Sequence, residues 1–161
     1  MNKTIVMKIL EFNKIKYISH EYDAKIVDAV KVSEAINVKA TQVFKTLVTI
    51  ASDKHYYVFL IPAIANLDLK KCAKILKVKK VEMLHQKYLQ PLTGYVHGGC
   101  SPLGQKKKFK TYVDLSAKDF ETICFSGGKR GLSIETKPEV LNSLIDAEFA
   151  DVVWEKNNEE I

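Results

Sequence analysis

Residues 43–63, VFKTLVTIASDKHYYVFLIPA, hold the pattern that decides the fold. Two runs rich in β-branched and aromatic residues, VFKTLVTIAS and HYYVFLIPA, lie on either side of the turn-like segment Ser52-Asp53-Lys54. Two such runs joined by a short polar segment are typical of a β-hairpin. The sequence therefore predicts a pair of antiparallel strands here, with further elements on both sides.

Helical and strand patterns continue before and after this hairpin. Apolar residues at helical spacing predict helices over residues 4–14 and 27–37, and a third helix that Asp68 caps. Thr136 to Glu139 has the spacing of a capping box, which predicts the start of a final helix. Further strands are predicted at KYISHEY (16–22), KTYVDLS (110–116), TICFSG (122–127), LSIET (132–136) and ADVVWE (150–155). The last six residues, 156–161, are expected to fray.

The order of these elements predicts the fold class. Strands and helices do not alternate strictly, and at least three pairs of strands have the pattern of hairpins. No internal repeat, low-complexity tract or Gly/Ser linker divides the chain. We therefore expect one α/β domain of the α+β kind over residues 1–161, with a mixed, mostly antiparallel sheet and helices packed outside it.

Length and charge limit the classes of function. The chain has 161 residues and no apolar run near the roughly 18 residues that span a bilayer. Lysines are dispersed through its start, unlike a secretory signal, so we expect a cytoplasmic protein without membrane contact. Lys and Arg number 25 against 19 Asp and Glu, and this net charge of +6 modestly favours a polyanionic partner.

The cysteines and histidines do not have the spacing of a metal site or a disulfide framework. Cys72, Cys100 and Cys124 are odd in number and far apart, and the four histidines form no HExxH or CxxC-type arrangement. Cys72 lies on the apolar side of its predicted helix, where a thiol usually serves as packing. The sequence therefore predicts no metal and no cofactor.

Lys45 interrupts an otherwise apolar strand. By strand alternation it shares one face with Val43 and Leu47. Phe44 and Thr46 then face the other way. Such a lysine often extends its ammonium from an edge strand into solvent. It can equally lie on the floor of a cleft and offer its charge to a phosphate or a developing oxyanion. The pattern alone leaves both interpretations open.

Two glycine-containing segments are further candidates. The first, GYVHGGCSPLG, places Cys100 three positions after His97, which invites a thiol–imidazole pair, although such partners usually meet in space and not in sequence. Gly98 and Gly99 would let a ligand approach bare backbone amides. The second, FSGGKRG at 125–131, lacks P-loop spacing and is either a plain hairpin turn or a second glycine wall.

Lysines are concentrated in two places. The predicted third helix carries four of them on the face opposite its apolar residues: Lys70, Lys71, Lys74 and Lys77. A second run covers residues 106–110. Clusters of this kind can contact nucleic-acid phosphates without reading sequence, and they can also be ordinary solvated surface.

Four motifs together resemble one family. They are VFKTLV (43–48), LDLKKCAKIL (67–76), TGYVHGGCSPLGQKKK (93–108) and SGGKRGLSIE (126–135), and their order and separation fit as well. The chain resembles the YbaK/EbsC-type aminoacyl-tRNA deacylases, which are related to the editing domain inserted in bacterial prolyl-tRNA synthetases. The resemblance covers essentially the whole chain. It implies the mixed α/β editing fold and removal of a wrongly attached amino acid from tRNA.

The resemblance also implies site residues. The family's key lysine corresponds to Lys45, and its GxxxP element begins at Gly98, so these two are the implied catalytic positions. Substrate-binding positions are implied at Tyr22, Gly99, Cys100, Ser101, Pro102, Ser126, Gly127 and Gly128. Backbone amides of residues 98–101 could stabilise an oxyanion, and Lys45 could hold the terminal adenosine phosphate or the carbonyl.

Three positions depart from the family pattern. Ser133 stands where an acidic residue is usual, which could change the rate or the choice of amino acid. His97 and Cys100 occupy positions that are usually apolar, which argues against a shared Cys–His mechanism. A cysteine-dependent hydrolase is therefore the least favoured function.

For free-standing members the resemblance implies cysteine mischarged on proline tRNA as the substrate. A cysteinyl ester carries its own thiol, so attack within the substrate needs no protein nucleophile, and water attack in the same pocket is the variant. The alternatives are a deacylase for Ala-tRNA(Pro) or another small mischarged amino acid, and a non-catalytic module that binds tRNA or a synthetase. The expected partners are the tRNA acceptor end and, transiently, prolyl-tRNA synthetase.

Overall fold

The computed structural model describes residues 2–155, so the fraying expected of residues 156–161 lies outside it. Its five α-helices within that range are α1 (Ile5–Phe12), α2 (Ala29–Ala35), α3 (Leu69–Leu76), α4 (Leu89–Thr93) and α5 (Glu139–Ile145). The eight strands there are β1 (Ile18–Glu21), β2 (Phe44–Ala51), β3 (Tyr56–Pro62), β4 (Val81–Met83), β5 (Lys110–Asp114), β6 (Ile123–Ser126), β7 (Leu132–Thr136) and β8 (Glu148–Ala150). Over the same residues, no helix combines the length and apolarity that crossing a membrane requires.

The strands form two sheets. The larger has the order β4-β2-β3-β5-β8 and is mixed, because β2 is antiparallel to β3 and β4 whereas β3–β5 and β5–β8 are parallel pairs. The smaller has the order β1-β7-β6 and is antiparallel. The predicted mixed α/β class is confirmed, with its strands divided between two sheets. The hairpin predicted at residues 43–63 is the β2–β3 pair.

β3 is buried on both faces, which explains its nearly continuous apolar sequence. Val58 and Leu60 belong to the core that also holds α1 and the inner face of the smaller sheet. Phe59 and Ile61 point the other way and pack with the apolar side of α3. The hairpin therefore fixes the larger sheet between two apolar layers, and Lys45 lies opposite Ile61 in its register.

The ends of the helices agree with the sequence in one case and differ in another. Asp68 caps α3 as predicted, because its carboxylate accepts the amides of Lys70 and Lys71 at 3.0 and 3.2 Å. The capping box at Thr136 is wrong. That residue is still in β7, and its hydroxyl donates to the Lys16 carbonyl at 2.9 Å, so α5 begins later without a side-chain cap.

The two sheets meet at an isolated parallel bridge between Val43 and Cys124. The Cys124 amide donates to the Gln42 carbonyl at 3.0 Å, and the Ala63 amide donates to the Val43 carbonyl at 2.7 Å. One short segment thus bonds to both sheets. Beyond this bridge β2 and β6 continue in the same direction but are no longer paired, and the site lies in the space between them.

Candidate active site

A cavity of about 300 Å³ lies where the two sheets separate. Its apolar lining comes from β2, α2, the residues just before these two elements, α4 and β6, and consists of Val27, Ala29, Val32, Val43, Phe44, Leu47, Leu89 and Phe125. The remaining lining residues are Tyr22, Asp28, Lys45, Thr46, His97, Gly98, Cys100, Ser126 and Ser133. A concave, mainly apolar pocket with a few polar groups is the usual form of a site for a small ligand group.

Lys45 lies in the wall of this cavity, which decides between the two interpretations of its position. The ammonium is half-buried and donates to the Ala63 carbonyl at 3.1 Å. Burial lowers its pKa below the usual value for lysine, and the nearby Asp28 carboxylate acts in the opposite direction. A partly desolvated cation of this kind attracts a negative group more strongly than a solvated one does.

Asp28 is a site residue that the sequence did not identify. It caps α2, where its side chain accepts the Lys31 amide at 3.1 Å. The cap residue is therefore fixed in place while its charge faces the cavity that contains Lys45. An aspartate before a helix is an ordinary cap signal, and nothing in the local sequence connects residue 28 with residue 45.

Thr46 also lines the cavity, although strand alternation placed it on the face opposite Lys45. Residues 43–47 all contribute to the lining because β4 pairs with β2 only at Thr49–Ala51, which leaves the preceding edge of β2 unpaired. The Thr46 Oγ1 atom is buried and has no hydrogen-bond partner within residues 2–155. A buried hydroxyl without a partner costs free energy, which a polar group of a ligand would recover.

The first glycine loop brings its own backbone to the cavity at Gly98. This residue has φ +85°, and a Cβ there would lie 2.6 Å from Cγ1 of Val27, so the close approach of the loop to the segment before α2 requires glycine. The Gly99 amide is already bonded to the Val96 carbonyl at 2.9 Å. Among the described residues no acceptor is found for the amides of Gly98 and Cys100, which are therefore the better candidates for binding an oxyanion.

Cys100 is a lining residue with the properties of an unreactive thiol. Burial raises its pKa to about 12, so the thiol remains protonated near neutral pH. Nε2 of Gln105 lies 3.9 Å from its sulfur. In the described part of the chain His97 makes no hydrogen bond to it. The structure does not assemble the thiol–imidazole pair considered from the sequence.

Several implied binding residues support the loops from behind and do not line the cavity. Ser101 and Pro102 are buried, and the Ser101 hydroxyl accepts the Leu103 amide at 3.3 Å. A Cβ on Gly127 would meet Leu132 at 2.6 Å, and one on Gly128 would meet Val6 at 3.1 Å. Their positions therefore serve packing of the two loops.

The two glycine loops contact one another. A Cβ on Gly99 would lie 3.0 Å from the Arg130 backbone nitrogen, and Nε of Arg130 donates to the His97 carbonyl at 2.8 Å. The guanidinium thus ties the second loop to the first. The second loop contributes Ser126 to the cavity, while its glycines lie behind.

Tyr22 lies in the cavity wall, as the resemblance implied, and burial raises the pKa of its phenol. Ser126 and Ser133 face each other across β6 and β7. The Ser126 hydroxyl accepts the Gly128 amide at 3.1 Å, and the Ser133 hydroxyl donates to the Phe125 carbonyl at 3.3 Å. The position where an acidic residue is usual therefore presents a short neutral side chain to the cavity.

Several lysines in the two clusters form ion pairs, which the sequence alone does not show. On α3, Lys71 pairs with Asp151 at 3.0 Å, while its three companions are exposed. In the 106–110 run, Lys108 pairs with Asp146 at 2.7 Å and Lys110 pairs with Glu148. Exposed ion pairs are weak, but they reduce the net positive charge of this surface.

Comparison with known proteins now identifies the family. A family model described as an aminoacyl-tRNA editing domain matches residues 23–144. A protein of Enterococcus faecalis that carries the provisional name Cys-tRNA(Pro)/Cys-tRNA(Cys) deacylase EbsC is 42% identical over 152 residues, which cover 93% of each chain. A solved structure provisionally described as a trans-editing enzyme for prolyl tRNA synthetase has a TM-score of 0.81 at 23% identity and covers 93% of both chains. The hypothetical protein APE2540 has a TM-score of 0.85 at 19% identity, covering 92% of this chain and 99% of that one.

The fold and the cavity define an α+β protein with a pocket for a small, partly polar group. The chain belongs to the aminoacyl-tRNA editing-domain family, whose model matches most of its length. This membership confirms the family and the enzyme class, aminoacyl-tRNA deacylase, predicted from the motifs. The roles of the individual site residues stay predictions.

We predict that Asp28→Asn lowers the pKa of Lys45 further, because loss of the carboxylate charge leaves the effect of burial unopposed. Asparagine keeps an acceptor for the helix cap, so α2 should be retained. The pKa is measured by NMR titration of the lysine side-chain carbons. Asp151→Asn, which removes the exposed partner of Lys71, is the control and should leave the titration of Lys45 unchanged. Equal behaviour of the two variants would contradict the proposed electrostatic contact.

Proposed function

We propose that this chain, as a single domain, is a deacylase that acts in trans on Cys-tRNA(Pro). The observation that carries the proposal is the partly desolvated Lys45 ammonium in the wall of a small, mainly apolar cavity. The name of the 42% identical relative supports the choice of cysteine as the amino acid. A small neutral side chain suits a pocket of about 300 Å³ that Val27, Val32 and Phe125 help to line.

In the proposed reaction the aminoacyl ester enters with its carbonyl near Lys45. The ammonium and the amides of Gly98 and Cys100 stabilise negative charge on the carbonyl oxygen. Thr46 Oγ1, buried and without a partner in the described chain, is available to a polar group of the substrate. The aminoacyl group is thus held by contacts at two sides, and no protein nucleophile is needed.

The cysteinyl thiol supplies the attacking atom. Its sulfur bonds to the ester carbonyl carbon, the bond from that carbon to the ribose oxygen breaks, and the thiol proton passes to the departing oxygen. The products are a cysteine thiolactone and free tRNA. The attack is intramolecular, and the cavity holds the thiol and the carbonyl in a reactive orientation.

We predict that the purified protein deacylates Cys-tRNA(Pro) faster than Ala-tRNA(Pro) and leaves Pro-tRNA(Pro) intact. Mass analysis of quenched reactions should detect a product lighter than cysteine by one water. Faster clearance of Ala-tRNA(Pro) would identify alanine as the substrate. Tight, salt-sensitive tRNA binding without turnover of any aminoacyl-tRNA would identify a non-catalytic module. Free cysteine alone, from the first time point, would indicate water attack.

The same assay tests Lys45. Lys45→Met keeps the apolar stem and removes the charge, so kcat/KM should fall by about a hundredfold or more if the ammonium stabilises the oxyanion. The free energy of unfolding of Lys45→Met should stay within about 0.5 kcal/mol of the wild-type value, because methionine keeps the packing of the apolar stem. Lys8→Met, on the exposed side of α1, is the matched control and should retain full activity. Undiminished activity of Lys45→Met would remove Lys45 from the mechanism.

Gly98 and Gly94 form a matched pair that separates backbone strain from cavity geometry. Both have left-handed φ angles, +85° and +87°, so an alanine at either should destabilise the fold by about 1–2 kcal/mol. At Gly98 the new Cβ also meets Val27, whereas at Gly94 it meets only the flexible Lys106 side chain at 3.3 Å. We predict that kcat/KM of Gly98→Ala is at least tenfold lower than kcat/KM of Gly94→Ala when the two variants are compared at the same folded fraction. Equal losses in both variants would indicate strain alone.

We propose that tRNA binds through exposed lysines and that its identity is read by a partner. Lys70, Lys74 and Lys77 are exposed on one side of α3, and such contacts to phosphates carry no sequence information. A transient complex with prolyl-tRNA synthetase would supply the missing discrimination. We predict that a synthetase inactive in aminoacylation raises the ratio of kcat/KM for Cys-tRNA(Pro) to that for Cys-tRNA(Cys). An unchanged ratio would exclude this partner.

A further inference from the structure

Three metal-binding side chains meet on the smaller sheet, at a distance from one another in sequence. They are His20 on β1, Cys124 on β6 and Glu135 on β7. Cys124 lies directly opposite Glu135, and His20 lies opposite Ser133, which shares a face with Glu135. One ligand atom from each of the three side chains lies within 4.8 Å of the others. This cluster is on the face of the sheet away from the α1 core.

The donor set matches the chemistry of zinc. Imidazole nitrogen, thiolate sulfur and carboxylate oxygen bind Zn²⁺ at about 2.0–2.3 Å, so ligand atoms around a tetrahedral ion lie about 3–4 Å apart. Nε2 of His20 and Oε1 of Glu135 are 2.8 Å apart, joined by a hydrogen bond. An ion that replaces the shared proton requires only a small outward movement of these two groups. The thiol proton of Cys124 is released to solvent when the ion binds.

A second layer of hydrogen bonds orients the carboxylate. The Thr122 hydroxyl donates to Oε2 of Glu135 at 2.6 Å, which leaves Oε1 directed at the histidine. Nε2 of Gln42 in turn donates to the Thr122 carbonyl at 2.9 Å. Metal ligands in proteins are commonly fixed by such outer contacts.

Burial gives the cluster a closed base and an open side. Cys124 is fully buried, whereas the side chains of His20 and Glu135 are 23% and 18% exposed. An ion can therefore enter from the side of the histidine and carboxylate and keep a water as its fourth ligand. Three protein ligands and one open position are a common arrangement for zinc outside purely structural sites.

We propose that His20 Nε2, Cys124 Sγ and Glu135 Oε1 form a binding site for a divalent transition-metal ion of the zinc class. The sequence predicts no such site, because its three donors come from three strands and have no motif spacing. Along β6 and β7 the site lies two positions from Ser126 and Ser133, on the same face of the sheet, and these two serines line the cavity. The bound ion would therefore be held by the wall of the active site without touching Lys45.

The test is a titration of the untagged, metal-free full chain with Co²⁺. One equivalent should give the near-ultraviolet charge-transfer absorption of a cobalt–thiolate bond and the intense visible bands of a four-coordinate ion. Zn²⁺ should displace both signals. Cys124→Ala should abolish the charge-transfer band, whereas Cys72→Ala, at another fully buried thiol, should keep it. Absence of the band in the wild-type protein would overturn the proposal.

Variants at the other ligands keep the test valid if Cys124→Ala does not fold. His20→Gln and Glu135→Gln should each weaken Co²⁺ binding more than tenfold, and Thr122→Val by about tenfold through loss of orientation. His55→Gln, at an exposed histidine in the β2–β3 turn, is the matched control and should bind as tightly as wild type. A band that persists unchanged in His20→Gln and Glu135→Gln would reject the site and leave a hydrogen-bonded pair that only joins β1 to β7.

Discussion

The site depends on the pair of backbone hydrogen bonds that residues 42 and 43 make to different sheets. The Gln42 carbonyl accepts from Cys124 in the smaller sheet, and the Val43 carbonyl accepts from Ala63 at the end of the hairpin. Two strands that leave this bridge in the same direction then separate. Because Lys45 and Ser126 each lie two residues beyond it, they occupy opposite walls of the same opening. The cavity is therefore a consequence of how the sheets are joined.

The bridge between Val43 and Cys124 also influences which charged groups lie beside the cavity. Lys45 lies between the Ala63 carbonyl, which accepts a hydrogen bond from its ammonium at 3.1 Å, and the Asp28 carboxylate, which caps α2. Burial lowers the pKa of Lys45, and the Asp28 carboxylate acts in the opposite direction. Poor solvation of an ammonium costs stability, and it also strengthens the attraction of that ammonium for negative charge as it develops.

The features that could be predicted from the sequence are those that depend on residues close together in the chain. The β2–β3 hairpin and the Asp68 cap follow from residue type and spacing, and the structure has both. Asp28 was missed because its functional neighbour is seventeen positions away on another element. Thr46 lies on the face opposite Lys45, as alternation predicts, but it still lines the cavity because β4 covers only the end of β2. Thr136 has a capping pattern that a long-range bond to Lys16 overrides.

The smaller sheet shows why such pairings escape a linear pattern. One of its faces packs apolar residues against α1, so the other face is free to carry polar groups in two adjacent rows. The row Ser126–Ser133 faces the cavity, and the row Cys124–Glu135 lies next to it with His20 at its edge. Alternation along each strand predicts the two faces, but only the register of three strands brings these rows together. A shift of the strand register by one position would turn the side chains of these rows towards the apolar core. The pairing of β1, β7 and β6 therefore holds together a cavity wall and the cluster of His20, Cys124 and Glu135.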